Sequence, residues 1–344
     1  MNQNKFFGKK ILFFSVQTFD LEKKIQAKLE ELGATVLYFD ERPANSIWAK
    51  GIIRVKKSWY QCKIDRYYHK VFEHIKNQHF DYLLVNKGEV MPAFFLEKLT
   101  QQMPDCIKIF YTWDSFKNNR HPEKIIDLFD RKFSFDAEDA AAYGLNFRPL
   151  FFLDDYRKIR NSCTNKKFDL IFLGTAHSDR YRITREVNDW CLSKGLRTYY
   201  YYYIPNKIVY YLKRKLDKTF LQFDIKKLSF KSLSASDIVR WYDESNVILD
   251  VNHPSQSGLT LRVFEAIGAG KKLITTNQEV IKYSFYNPVN IFIIDRKNIV
   301  LNEGFFMNDY QEISMDLYER ASLTGWLNCL FFEKESNIWI NDRF

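Results

Sequence analysis

The chain has 344 residues, 46% apolar and 17% aromatic (31 Phe, 21 Tyr, 7 Trp), with a formal net charge of +10. That length exceeds one ordinary core and suits two domains, and the apolar content excludes a disordered chain. Five cysteines (Cys62, Cys106, Cys163, Cys191, Cys329) are odd in number, scattered and never spaced C-x-x-C, which argues against a disulfide framework or a zinc site and fits a reducing compartment.

At the N-terminus the apolar run 11–14 is too short for a signal peptide, and no 18-residue apolar stretch follows, so the sequence reads as cytoplasmic. Apolar patterning predicts a strand at 10–15, a helix at 21–32 ended by Gly33, and a strand at 35–40. Helices at 64–76, 93–101 and 122–129 precede strands at 82–86, 107–112 and 132–135; a helix at 137–143 and an extended run at 147–153 follow. The charged stretch DDYRKIRNSCTNKK, 154–167, reads as a linker. A second cycle then runs through strand 168–173, helix 179–193 and strand 196–203. Next come helix 236–244 with Ser236 as N-cap, strand 247–251, helix 259–267 and strand 272–275. Near-continuous apolar strands alternating with helices imply parallel sheets covered on both faces. The expected organisation is an α/β chain of two doubly wound, Rossmann-like domains. The first spans 1–153 and the second 168–325, and a C-terminal segment at 326–344 is expected to return to the first. Ligands of such sheets bind beyond the carboxyl ends of the strands, which places them in a cleft between domains.

The most informative segment is VILDVNHPSQSGLTLRVFEAIGAGKKLITTN, 247–277. A strand enters a polar loop at Ser257-Gly258, and a helix starts near Leu259 and Thr260. A glycine at such a junction lets a ligand approach the free N–H groups of the first turn, where the macrodipole favours an anion. Arg262 in that first turn is poor for helix stability and sensible beside a phosphate. Glu265, three residues on, shares its face and suits sugar hydroxyls. The alternative is an ordinary surface Arg–Glu pair.

The run Gly-Leu-Thr-Leu-Arg-Val-Phe-Glu-Ala-Ile-Gly-Ala-Gly (258–270) resembles the nucleotide-binding segment of the GT-B glycosyltransferases, and most of all their CgeB-like branch from bacterial polysaccharide and lipopolysaccharide loci. YTWDSFKN (111–118), FSFDAEDAAAYGLNFRPLFF (133–152) and FDLIFLGTAHSDRYR (168–182) carry the same resemblance. It implies the GT-B fold, with an N-terminal acceptor domain and a C-terminal nucleotide-sugar domain in which Glu265 binds the donor's ribose. Many relatives have an earlier glutamate in this segment; here that position is Ser257, a departure that bears on how the donor sugar is held.

Gly174-Thr175 follows a strand, with Arg180 and Arg182 at the start of the next helix, and is expected to flank the diphosphate opposite Arg262. Asp114 and Glu89 lie just past strand ends in the first half. An inverting transferase needs a carboxylate to take the acceptor hydroxyl's proton, and a retaining one needs positive charge beside the departing phosphate. Asp114 also suits a helix N-cap, and Glu89 a cap after Pro92. His253 borders the expected donor loop and is a further catalytic candidate; His177 is similar. No metal or other cofactor is expected, since no Asp-x-Asp lies beside a strand end and Asp154-Asp155 diverge.

The stretch 207–231 interleaves Lys and Arg with Tyr, Leu, Phe and Ile. It reads either as a contact to the anionic inner face of the cytoplasmic membrane or as a solvated insertion. The expected function is transfer of a sugar from a nucleotide-sugar donor to a bacterial surface glycan or lipid-linked acceptor. A non-catalytic binding protein of the same fold and a basic nucleic-acid-binding protein are the alternatives. No recognisable nucleic-acid module occurs, so nucleic acid is not the expected partner.

Overall fold

The computed structural model describes residues 5–44, 57–254, 256–333 and 338–341. The chain forms two compact units, Met1–Pro149 with Leu323–Ser336, and Leu150–Ser322 with Asn337–Phe344. The first holds β1 (Lys10–Ser15), β2 (Thr35–Asp40), β3 (Tyr82–Asn86), β4 (Ile107–Thr112), β5 (Arg131–Ser134) and β6 (Asn146–Phe147) in the order 2-1-3-4-5-6. All its pairings are parallel. Its helices are α1 (Leu21–Glu31), α2 (Gln61–Ile75), α3 (Ala93–Gln102) and α4 (Ala137–Tyr143). The period of two sends Leu12, Phe14, Leu83 and Val85 to one face, where they bury against Ile64, Tyr68 and Phe95.

The second unit holds β7 (Phe168–Thr175), β8 (Thr198–Tyr203), β9 (Leu228–Ser229), β10 (Ser245–Asp250), β11 (Lys272–Thr275) and β12 (Ile291–Ile293) in the order 12-11-10-7-8-9, again parallel. Its helices are α5 (Asp154–Ile159), α6 (Arg180–Ser193), α7 (Lys207–Leu216), α8 (Ala235–Asp243), α9 (Leu261–Gly268), α10 (Glu303–Met307) and α11 (Met315–Ala321). The run TYYYYY alternates in β8. Tyr202 joins the core beside Phe172, while Tyr199 stacks on Trp241 with ring centroids 4.1 Å apart. From β7 the chain winds out through β8 and β9, then returns to β10 on the other side of β7. The β7/β10 boundary is therefore a topological switch point, where loops leave in opposite directions and open a crevice.

A last helix, α12 (Leu323–Phe332), belongs to the first unit. Trp326 is buried edge-on against Tyr111, Phe331 packs on Phe6 and Tyr82, and Arg131 donates to the carbonyls of Cys329 and Phe331. Of the segment 326–344, residues 334–337 and 342–344 lie outside the described ones; Ile340 bridges to Tyr283 in the second unit.

Several boundaries differ from the sequence reading. The expected linker at 154–167 begins with α5, because Tyr156 is buried and Arg157 pairs with Glu319 beside the Tyr318 ring; the chain passes between units after Pro149. The helix expected at 122–129 is two 3₁₀ turns, His121–Lys124 and Ile126–Leu128, split where Ile125 takes φ −127°. Ser234, not Ser236, caps α8, in a reciprocal capping box with Asp237.

Candidate functional site

Asp250 ends β10 with no solvent exposure, and Arg262, in the first turn of α9, reaches back to it. Arg262 Nη1 lies 2.6 Å from Asp250 Oδ1, and Nη2 donates to the Leu173 carbonyl at 2.7 Å. Burial opposes the charge, but Asp250 holds the guanidinium protonated, above its ordinary value. The ion pair of Arg262 is thus with Asp250, not with Glu265. Glu265 instead accepts from the Tyr242 hydroxyl at 3.0 Å and from Tyr156. Burial pushes its carboxyl up, against Arg262 and the two phenols. The carbonyls of Ser257 and Gly258 accept from Asn277 Nδ2, and Leu259 is buried. Thr260 is the N-cap residue but makes no side-chain cap, and its Oγ1 has no partner among the described residues. Among the described residues the first turn of α9 therefore has no cap from its N-cap side chain.

Across the crevice, Gly174 and Thr175 end β7. A Cβ at Gly174 would stand 2.7 Å from the Phe172 ring and 3.4 Å from Arg180 Nη1, so glycine leaves the space in which Arg180 lies. Arg180 opens α6 and is 7% exposed; Nε donates to the Val251 carbonyl at 2.7 Å and Nη1 to that of Thr175 at 2.9 Å. Burial and the Arg262 guanidinium push it down to about 9. Arg296, which the sequence reading missed, bonds Asp179 at 2.7 Å and also Asn252 and Thr276. Lys213 of α7 donates to the Ala176 carbonyl at 3.2 Å. Arg182 divides its contacts: Nη1 pairs with Glu186 at 2.9 Å, while Nη2 donates to the Arg296 carbonyl and lies 3.9 Å from Asp179.

Arg180, Arg262 and Arg296 thus gather around two carboxylates, Asp250 and Asp179, with Arg182 at the Asp179 edge; Lys213, offset by Asp217, faces His177 and Arg180 from the adjoining helix, and Glu265 lies beside Arg262. His177 and His253 add imidazoles with ring centroids 5.5 Å apart. Such crowding of positive charge is costly alone and favourable around an anion. It also fixes the state of His177, which burial, Arg180, His253, Lys213 and Arg262 lower from 6.5 to about 3. Below pH 6.5 the unfolded chain takes a proton here that the folded chain refuses, so stability is kept above that value and falls as the pH drops toward 3. The melting temperature is expected to fall more steeply on acidification in wild type than in His177→Asn; parallel curves would show that this imidazole does not titrate against the cluster.

In the first unit the two carboxylates singled out from sequence meet around one lysine. Lys87 Nζ lies 3.2 Å from Asp114 Oδ2 and 3.6 Å from Glu89 Oε1, and Glu89 also pairs with Arg42. Lys87 follows β3 at φ +91°, a backbone state that costs about 1–3 kcal/mol. It is held there from below, because the buried Glu41 accepts from the N–H groups of Gly88 and Glu89 at 2.9 and 2.6 Å. Burial pushes the Glu41 carboxyl up to about 8, against those two donors. Neither candidate carboxylate caps a helix: no helix starts after Asp114, and α3 begins behind Pro92 without a side-chain cap.

No protein-family model matches the chain, and neither does any curated protein sequence. Solved structures do match over nearly its whole length. An alpha-glucosyltransferase solved with UDP and a 13-mer DNA superposes with a TM-score of 0.55 at 14% identity, covering 93% of this chain and 95% of its own. HepE of Anabaena, solved with UDP and glucose, gives 0.54 at 11% identity, covering 92% and 97%. The lipopolysaccharide outer core galactosyltransferase WaaB, in its apo form, gives 0.51 at 11% identity, covering 94% and 99%. With two six-stranded parallel sheets already described, these decide the architecture. The chain has the GT-B fold. In GT-B terms, the cation cluster lies at the carboxyl edge of the second Rossmann-like sheet, at its switch point.

Proposed function

We propose that the protein is a glycosyltransferase whose donor is a nucleoside diphosphate sugar. The reading rests chiefly on one observation, the crowding of Arg180, Arg262 and Arg296 around only Asp250 and Asp179 at the β7/β10 switch point, with the Lys213 ammonium facing Arg180 from α7. A diphosphate would satisfy those cations, joined by the first turn of α9 and the Ser257–Gly258 loop. When the glycosidic bond to the donor breaks, charge develops on the departing diphosphate, and fixed guanidinium groups stabilise it without reorganising. In this reading no metal ion is needed, because the guanidinium groups supply the positive charge. His253 is the candidate that meets the donor sugar, and Asp114 the base for the acceptor hydroxyl.

Glu265 would hold the ribose by exchanging phenol hydrogen bonds for sugar hydroxyls. Glu265→Gln keeps an acceptor oxygen for Tyr242 and Tyr156, so folding should change little. Donor binding should weaken by roughly 1–3 kcal/mol, the scale of a hydrogen bond to a charged group. Calorimetry with a panel of nucleotide sugars tests both points: binding of none would sink the donor reading, and an unchanged affinity in Glu265→Gln would remove the ribose role.

For the acceptor we propose a bacterial surface glycan or lipid-linked saccharide, reached by an enzyme resting on the cytoplasmic face of the membrane. The support is α7, which exposes Ile208, Tyr211, Leu212 and Leu216 beside Lys207, Arg214, Lys215 and Lys218. Among the described residues no helix is long and apolar enough to cross a membrane, so contact through α7 would be peripheral. One structural neighbour was solved with DNA, and duplex DNA is therefore the competing acceptor to include. Transfer to DNA with none to lipid-linked saccharide would replace the surface-glycan reading.

A further inference from the structure

From sequence the segment 207–231 reads either as a basic, aromatic membrane contact or as a solvated insertion. Its geometry divides it in two. Tyr210, 1% exposed, anchors α7 by packing on Phe220 and donating its hydroxyl to the Phe223 carbonyl at 3.0 Å. With one side of the helix fixed by Tyr210, Lys213, a turn further on, and the neighbouring Val209 are only partly exposed. Ile208, Leu212 and Leu216 follow the i, i+4, i+8 rule along the other side, and they are 72%, 55% and 84% exposed.

Lys213 is set apart from every other cation of the insertion. It lies over the Phe220 ring, and its ammonium bonds the Ala176 carbonyl, in the loop that carries His177 and leads to Arg180. Among the described residues it has no carboxylate within ion-pair distance. Burial lowers its pKa, Asp217 opposes this, and Arg180 adds to the lowering. A half-buried ammonium beside a buried guanidinium, with one carbonyl as acceptor, still has donors to offer and unfavourable company until an anion arrives.

We propose that Lys213 is a phosphate ligand at the β7/β10 switch point, so that the inserted helix α7 completes the anion site with one side while its opposite side meets the bilayer. This rests on the donor-site reading above and adds the residue that the insertion contributes to it. The ligand chemistry is a diphosphate, bound by the ammonium together with Arg180 and the α9 first turn. The other lysines of the insertion, Lys207, Lys215, Lys218, Lys226, Lys227 and Lys231, are solvent-exposed and available to the bilayer, while Arg214, also exposed, donates to the Tyr210 hydroxyl at 2.9 Å.

The test separates the two sides of one helix, using the full-length protein and inorganic pyrophosphate, the moiety common to all nucleoside diphosphate donors. By calorimetry, Lys213→Met is expected to bind pyrophosphate about tenfold or more weakly than wild type, and Lys213→Arg to recover most of the loss. Co-sedimentation with phosphatidylglycerol-containing vesicles should be the same for Lys213→Met and wild type. Leu212→Ser with Leu216→Ser should show the reverse, losing the vesicles and keeping the pyrophosphate affinity. Wild-type pyrophosphate affinity in a folded Lys213→Met overturns the assignment and leaves the donor site standing. Equal loss of pyrophosphate binding in both variants also overturns it, since α7 would then act only as a support. If wild type binds neither pyrophosphate nor any nucleotide sugar, the donor reading itself has failed and this inference falls with it.

Discussion

Arg262→Ala is expected to cost both folding stability and catalysis, and the two losses can be told apart. The substitution leaves Asp250, which has no solvent exposure, without its cation and the Leu173 carbonyl without its donor. Breaking one side of a buried ion pair typically destabilises by about 3–5 kcal/mol. In a chain of this size that is a fall in melting temperature of several degrees. Turnover at saturating donor should fall on the order of 10²-fold or more, as when one preorganised donor to a developing oxyanion is removed. A second variant, Asp250→Asn with Arg262→Leu, removes both charges, and much of the stability should return because no buried charge is left alone. Transfer should stay low, since the diphosphate still lacks its guanidinium. If the double variant regains activity along with stability, Arg262 serves only to neutralise Asp250, and the phosphate role goes to Arg180, Arg296 and Lys213.

Asp250 shows what local sequence patterns can and cannot deliver. The strand before Ser257-Gly258 and the helix carrying Arg262 and Glu265 were legible, because period and turn chemistry act over a few residues, whereas Gly174-Thr175, read as following a strand, are the last residues of β7 itself. Asp250 reads in the chain as one residue near the end of an apolar strand, and nothing local marks it as the partner of a residue twelve positions on. Arg296 was missed for the same reason: its partners Asp179, Asn252 and Thr276 come from three other segments. Lys213 was read with Arg214 and Lys215 as one basic run. Only the burial of Tyr210 fixes which side of that helix turns inward. In the first unit, Asp114 and Glu89 were legible as carboxylates at strand ends, whereas Lys87 between them was not. Its positive φ is imposed by Glu41, and a lysine gives no local sign of such a backbone state. The linker reading failed on composition. DDYRKI is charged, but one tyrosine packed between Tyr242 and Glu265 is enough to hold a short helix.

Asp114→Asn is expected to lower sugar transfer by about 10²-fold or more while leaving donor affinity and folding nearly intact. The geometry makes the stability side of this sharper than the sequence alone allowed. Asp114 does not cap a helix, so no cap is lost, and the asparagine oxygen can still accept from Asn118, as Asp114 Oδ1 does at 3.2 Å. What disappears is the charge facing Lys87 at 3.2 Å, and Lys87 keeps Glu89 at 3.6 Å, so no buried cation is abandoned. With the Asp114 side chain 29% exposed, the lost pair should cost no more than about 1 kcal/mol. The catalytic side follows from the proton: as the acceptor oxygen bonds to the sugar carbon, its hydrogen must pass to a base, and an amide cannot take it. Comparing Asp114→Asn with Glu89→Gln distinguishes a base from a scaffold. Glu89→Gln loses its ion pairs to the buried Arg42 and to Lys87, so it should lower the melting temperature more and transfer less than Asp114→Asn does. If Asp114→Asn transfers at the wild-type rate, the base is another group, and Asp114 only tethers Lys87 in its strained turn.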